Sequence, residues 1–396
     1  MEIVHLRRSE WKGAILPIGY AADRYYDAAA ERTPEGFAFR FVLRPADPVL
    51  IHTPAEHDFP DRLYADDWPL AWAWGVVEDG RLRAAIETCP EQWSNRLRVT
   101  ELWVAEDLRR RGLGHALMDL AREQARLERR RAVVLETQSC NAEAIAFYLR
   151  EGFVPVGCDL CAYGNDDAGR REVRVEMGLL RARPAPCAGQ ALTIRPERPE
   201  DFPESEAMVR RAFWNKFAPG CNEHLLVRKL RADPVFVPEL SRVAVLDGRI
   251  AGGIWYAWAA LEREGWTRRV LTFGPLAADP AQQGRGIGAA LLRATLPAAA
   301  QTGAPGIVIF GEPDYYPRFG FRPGEQFGIT TADGRNFPAF QALELVPGAL
   351  SEFGGAFREP SVYENLPAAE QAAPEDGLPP LEKHRFPCQF GAREKE

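Results

Sequence analysis

Residues 109–117 read RRRGLGHAL, and residues 283–291 read QGRGIGAAL. Gly112, Gly114, Ala116 and Leu117 match Gly286, Gly288, Ala290 and Leu291 at one constant offset. A second pair of blocks follows in the same order. Tyr148-Leu-Arg-Glu-Gly152-Phe153 is echoed by Tyr316-Pro-Arg-Phe-Gly320-Phe321, with six fewer residues between the blocks in the second copy. Self-similarity of this kind marks a duplicated structural unit.

The surroundings of the glycine blocks match as well. Apolar or alternating stretches precede them at residues 97–104 and 270–278, and each reads as a strand. Leu113, Ala116, Leu117 and Leu120 then fall on one helical face. Ile287, Leu291 and Ala294 do the same until Pro297, which is expected to disturb that helix. Second strands are expected at 132–136 and 306–310. Strand, glycine turn, helix and strand make a βαβ unit, here present twice.

A chain of 396 residues exceeds what one core commonly supports, so two domains are expected. Residues 1–180 and 191–358 each hold one copy. Residues 181–190, RARPAPCAGQ, read as a linker, and 359–396, rich in Pro and Glu, as an irregular C-terminal extension over the surface. The composition, 46% hydrophobic and 27% charged, is that of globular protein. A net charge of −7 excludes a general nucleic-acid binder, which needs a basic face, and suits a cationic substrate. The longest apolar stretch, 250–261, is too short to span a bilayer, so no membrane partner is expected. No basic-then-apolar leader opens the sequence, and seven scattered cysteines fit reduced thiols in the cytoplasm. Cys158 and Cys161 form one CxxC pair without the further ligands a zinc site requires, so no metal is expected.

A helix N-terminus presents unpaired N–H groups and partial positive charge, which suits a pyrophosphate. Gly112 and Gly114 open the backbone there, and Arg109, Arg110 and Arg111 add charge; Arg285 does so in the second copy. The alternative is a tight turn without a ligand. No GxxxxGK[ST] is present, which removes the nucleotide P-loop. Gly284, Gly286 and Ala289 satisfy the GxGxxA dinucleotide pattern. However, no acidic residue closes the following strand, which ends in Phe310, and Arg110 replaces the leading glycine in the first copy.

The pattern Arg/Gln-x-x-Gly-x-Gly followed by Ala-Leu, with the later Tyr-x-x-x-Gly-Phe, resembles the acyl-CoA signature of the GNAT acetyltransferase superfamily. The resemblance implies an α/β (α+β) chain of two tandem GNAT domains, each a mixed twisted sheet flanked by helices. Residues 93–104, 134–153 and 164–178 make the first domain similar to streptothricin acetyltransferases. Residues 273–292 and 313–321 make the second similar to YhbS-type acetyltransferases.

If the resemblance holds, acetyl-CoA lies between two splayed parallel strands. The backbone of Leu102 and Val104 would hold its pantetheine, with Arg109, Arg110, Arg111, Gly112, Leu113, Gly114 and His115 at the pyrophosphate and Asn141 also in contact. In the second domain the corresponding set is Leu276 and Ala278, then Gln283, Gly284, Arg285, Gly286, Ile287, Gly288 and Ala289.

Acetyl transfer needs a neutral amine, and an alkylamine has a pKa of ~10.4, so a base is required. Glu136, at the end of the second strand, is the first candidate and Glu101 the second; either could instead pair with a nearby arginine. Tyr148 is the candidate acid for the departing thiolate, with Tyr316 its counterpart; Tyr148 could instead pack with Phe147 and Phe153. Phe310 stands where Glu136 does, which places the chemistry mainly in domain one.

His115 and His224 lack a GxSxG partner motif and are expected to be solvated or packed. Trp72, Trp74 and Trp93 are expected in the core or a pocket wall. Asp166 and Asp167 are expected in a turn, with attraction of a cation as the alternative. The expected function is N-acetylation of a primary amine on a small cationic, antibiotic-like molecule. A protein or peptide acetyltransferase and an acyl-CoA sensor are the alternatives, and the oligomeric state stays open.

Overall fold

The computed structural model describes residues 1–53, 60–180, 192–369 and 378–393; the expected linker at 181–190 lies outside these. The chain divides into two compact units, Met1–Ala182 with His384–Glu396, and Arg183–Lys383.

In the first unit the strands are β1 (Val4–Leu6), β2 (Tyr20–Thr33), β3 (Gly36–His52), β4 (Trp72–Glu78), β5 (Arg81–Glu91), β6 (Arg96–Val104), β7 (Ala132–Gln138), β8 (Val154–Asp159) and β9 (Arg174–Leu180). The helices are α1 (Arg8–Trp11), α2 (Leu113–Leu127), α3 (Ala142–Arg150) and α4 (Asp167–Arg170). The main sheet runs β1-β4-β5-β6-β7-β9-β8, while β2 and β3 form a separate antiparallel ribbon. Among the described residues only β6 and β7 pair in parallel there, because α2 crosses between them.

The second unit repeats the plan. Its strands are β10 (Leu192–Pro196), β11 (Arg242–Leu246), β12 (Arg249–Arg263), β13 (Trp266–Ala278), β14 (Gly306–Phe310), β15 (Arg322–Pro323), β16 (Ile329–Thr330), β17 (Phe340–Glu344) and β18 (Gly355–Arg358). Its helices are α5 (Phe202–Phe213), α6 (Glu223–Arg231), α7 (Ile287–Ala300) and α8 (Ser361–Glu364). The order β10-β11-β12-β13-β14-β17-β15 matches the first sheet strand for strand, with β18 added on β12 and β16 on β18. The apolar stretch at 250–261 is the body of β12, a central strand, which explains its continuous hydrophobicity.

One face of α2 packs Leu117, Met118, Leu120 and Ala121 against Ile86, Val99, Val133 and Leu135. Ile287, Leu291 and Leu292 of α7 pack likewise on Ile254, Leu271, Phe273 and Ile309. Three expectations need correction. Pro297 does not end its helix, which continues to Ala300: proline forfeits one backbone bond, and burial of Ala299 holds the last turn. Trp93 is neither core nor wall; it is 86% exposed with Arg96 over its ring, whereas Trp72 and Trp74 are fully buried. The C-terminal extension is not only a surface wrap. Residues 361–364 form α8, and Phe386 is fully buried in the first unit's core, its ring 5.4 Å from Trp74, whose Nε1 donates to the Arg385 carbonyl.

Candidate active site

β6 and β7 pair only at Arg96↔Ala132, Leu97↔Val133 and Arg98↔Val134, and then diverge. The β7-facing peptide groups further along β6 are left without a strand partner, which makes a slot. Beside it β6 bulges. Glu87 of β5 faces Glu101 and Thr88 faces Val99, so Thr100 is the extra residue. The fully buried Glu87 holds this bulge, accepting from Thr100 Oγ1 at 2.8 Å and from the Tyr64 backbone N–H at 2.5 Å. Burial raises the Glu87 pKa against those bonds.

The slot opens into a cleft of about 670 Å³. Five residues expected from the sequence line it together: Glu101, Leu102, Glu136, Asn141 and Tyr148. Their states differ. Glu136 lies 3.4 Å from Arg98 Nη1 and 3.7 Å from Arg174 Nη1, so its carboxylate is already engaged by two guanidiniums. Glu101 has no such cation among the described residues. Burial, then the nearby carboxylates Asp61, Glu87 and Glu136, push its pKa up to about 9. The Tyr148 phenol is pushed up to about 12 by burial and by Glu101. Its ring packs on Phe147 and Phe153, as the packing reading expects, and it also lines the cleft. Asn141 caps α3, its Oδ1 accepting from the Ala144 N–H at 3.1 Å, which leaves the amide nitrogen for a ligand.

Sequence reasoning missed the opposite wall. Tyr20 and His52 are the register-paired ends of the β2–β3 ribbon, with rings stacked 4.8 Å apart, and Tyr20 Oη donates to Gln138 Oε1 at 2.7 Å. Asp61 and Tyr163 come from the loops before β4 and after β8. Nothing in the local pattern of these residues marks them, because the ribbon and loops reach the cleft only through tertiary packing.

The glycine turns repeat in detail. Gly112 has φ +83° and Gly286 φ +91°, conformations that favour glycine, and no side chain caps either helix. The first-turn N–H groups of α2 and α7 are thereby free of side-chain competitors. Arg109 Nε donates to the Val104 carbonyl at 3.1 Å, and Gln283 Nε2 to the Ala278 carbonyl at 3.2 Å. The side chain opening each signature thus closes its own turn. Arg109, Arg110 and Arg111 are all exposed, with Arg110 3.7 Å from Glu143. The second glycines serve packing. A Cβ on Gly114 would lie 3.4 Å from the Phe147 ring, and one on Gly288 only 2.6 Å from Tyr315 Oη. His115 turns its ring to Glu151 (2.9 Å) and Asp119 (3.3 Å) on the surface, so only its backbone belongs to the turn. Ile287 and Ala289 are buried beneath their turn, and Leu276 and Ala278 pack on the same core. Arg285 donates to Gln282 Oε1.

The second unit has the same slot, since β13 and β14 pair in parallel only at Leu271↔Ile307. Gly274 and Pro275 interrupt the register where the first unit has Thr100 and Glu101. Phe310 takes the place of Glu136 and Tyr316 that of Tyr148, buried against Phe273 and Phe321. His224 is buried beside Cys221, at 3.4 Å. Asp167 is buried as the first residue of α4 rather than in a turn, its Oδ2 accepting from the Tyr163 N–H. Among the described residues no His, Cys, Asp and Glu cluster suits a metal, and no helix is long and apolar enough to cross a membrane.

The acetyltransferase (GNAT) family profile matches residues 39–153 and 200–321. Streptothricin acetyltransferase of Streptomyces lavendulae is 32% identical over 149 residues, 37% of this chain and 78% of that protein. The uncharacterized N-acetyltransferase YhbS of Escherichia coli K12 is 29% identical over 165 residues, 41% of this chain and 93% of that protein. The crystal structure of YhbS in complex with CoA is 26% identical, covering 47% of this chain and 96% of that one, with a TM-score of 0.40. That of nourseothricin acetyltransferase is 30% identical, covering 45% and 97%, with a TM-score of 0.36.

Proposed function

Because the chain belongs to the acetyltransferase (GNAT) family, we propose that its first unit transfers the acetyl group of acetyl-coenzyme A to a primary amine of a small cationic molecule in the cytoplasm. One observation carries the choice of acceptor: three acidic side chains, Asp61, Glu136 and Glu101 (protonated at rest and ionised in favour of a cation), line one cleft where β6 and β7 part. An ammonium entering there gains favourable charge contacts that a neutral or anionic acceptor lacks. The similar Streptomyces protein bears a name that gives streptothricin as its acceptor, which makes an antibiotic-like amine the first compound to try.

Coenzyme A fits the residues present. The uncapped start of α2, opened by Gly112 at positive φ, suits the pyrophosphate, and Arg110 and Arg111 add exposed positive charge. The free edge of β6 at Leu102 suits the pantetheine amides. Acetyl-coenzyme A supplies an activated thioester; this chain orients it and moves protons.

Glu101 is the base of this proposal. Its carboxyl, lifted to about 9, lies close to the ~10.4 of an alkylammonium, so proton transfer between them is nearly balanced. Glu136 is held by Arg98 and Arg174 and acts by attracting the cation. Tyr148 faces the same cleft and donates toward the departing sulfur.

The test is thiol release from acetyl-CoA with streptothricin and, separately, with a lysine-containing peptide. Glu101→Gln should lower kcat/KM about 100-fold or more without weakening acetyl-CoA binding, and Glu136→Gln should chiefly raise the amine KM. Full activity in Glu101→Gln, or a preference for the peptide, would sink this reading.

A further inference from the structure

The second unit lacks an acid on both splayed strands, since Pro275 and Phe310 stand where Glu101 and Glu136 do. A different part of the chain reaches the same place. β18 pairs with β12 through Ala260↔Arg358, Leu261↔Phe357 and Glu262↔Ala356, and brings the Phe357 ring to 6.0 Å from Phe310, the last residue of β14. Six residues after Phe357, on α8, Tyr363 packs over the β13 interruption. Its hydroxyl donates to the Gly274 carbonyl at 3.2 Å, and a Cβ on Gly274 would lie 3.3 Å from the tyrosine ring. The stretch between Phe357 and Tyr363 therefore spans from the tip of one splayed strand to the bulge of the other. Glu359 lies in that stretch, just past the end of β18 and four residues before Tyr363, and its charge acts on the Tyr363 phenol and raises that group's pKa.

We propose that the second unit is a separate acetyl-transfer site in which Glu359, supplied by the segment after β18, is the base, and that its acceptor is a primary amine carrying an aromatic or apolar group. The acceptor class follows from the strand tip. Phe310 and Phe337 stack with centroids 5.8 Å apart and are 42% and 41% exposed, where the first unit presents ion-paired Glu136. An exposed aromatic pair beside the slot favours an apolar substituent over a polycation. Burial, with Glu364 as the nearby like charge, lifts the Glu359 carboxyl to about 7, a range suited to proton exchange at neutral pH. No cation pairs with Glu359 among the described residues; its neighbour Arg358 is spent on Glu262 at 2.9 Å.

The step balances without another reactant. The ammonium gives one proton to Glu359, and the nitrogen lone pair attacks the acetyl carbonyl carbon. The C–N bond forms, the C–S bond breaks with its electron pair leaving on sulfur, and the second nitrogen proton ends on that sulfur. Glu359 then returns its proton to solvent.

The experiment uses the full chain with the first turn charge-reversed (Arg110→Glu with Arg111→Glu), so that remaining turnover reports the second unit. Thiol release from acetyl-CoA is followed with 2-phenylethylamine as probe. The proposal expects amine-dependent release that falls about 100-fold or more in Glu359→Gln, with acetyl-CoA affinity held within about twofold. Glu359→Asp, which keeps the charge on a shorter arm, should recover about tenfold over the glutamine variant. Three results would each overturn it: no phenylethylamine-dependent release, release unchanged in Glu359→Gln, or equal losses in both variants together with weakened acetyl-CoA binding.

Discussion

Glu101 illustrates how burial sets a role at the scale of one side chain. Its carboxyl is lifted because water is excluded and Asp61, Glu87 and Glu136 are near. Below about pH 9 the resting group is protonated, and an arriving ammonium favours its ionised form. With an ammonium acceptor, kcat/KM should therefore climb about tenfold per pH unit on the approach to pH 9, and Glu101→Gln should abolish that limb. The same shift acts on stability with a fixed sign. The folded state holds this proton above the unfolded pKa of ~4.3, so Glu101 increasingly destabilises the fold as pH rises from there to about 9. Chemical denaturation should thus find Glu101→Gln more stable than wild type at pH 8 and indistinguishable at pH 4. A variant less stable at pH 8 would contradict the assignment. Sequence ranked Glu136 first because its strand was expected to end there, whereas β7 runs on to Gln138 and two arginines close around Glu136. Arg98 lies on one neighbouring strand and Arg174 on the other, and that cross-strand meeting has no local signature.

At the scale of elements, the glycine turn was fully legible. Its positive-φ Gly112 and Gly286, the strand before it and the helix after it are local consequences of residue type. The bulge at Thr100 was not, because it depends on Glu87, 13 residues away on the neighbouring strand. The repeated contacts of Arg109 with Val104 and of Gln283 with Ala278 assign the first signature position to fixing the turn. Gln283→Ala should then weaken acetyl-CoA binding at the second unit by about 3- to 10-fold through loss of one hydrogen bond's worth of order, with little change in unfolding midpoint. Binding unaltered by the substitution would remove that role.

At the scale of the whole molecule, the duplication shows in the sheets, whose orders agree strand for strand. What composition concealed was the use made of the last residues. A Pro- and Glu-rich segment reads as surface, yet Phe386 completes the first unit's core against Trp74. Phe386→Ala should destabilise that unit by about 3–5 kcal/mol, seen as an earlier unfolding transition with the second unit's transition unmoved. A single aromatic among polar neighbours carries no period, which is why the pattern did not mark it. The claim that both units are acetyl-coenzyme A sites is tested most directly by calorimetric titration of the full chain with acetyl-CoA. Two equivalents should bind to wild type, and one each to the Arg110→Glu/Arg111→Glu and Arg285→Glu chains. A single equivalent in wild type, unaffected by Arg285→Glu, would contradict a second working site, and no binding would contradict the account as a whole.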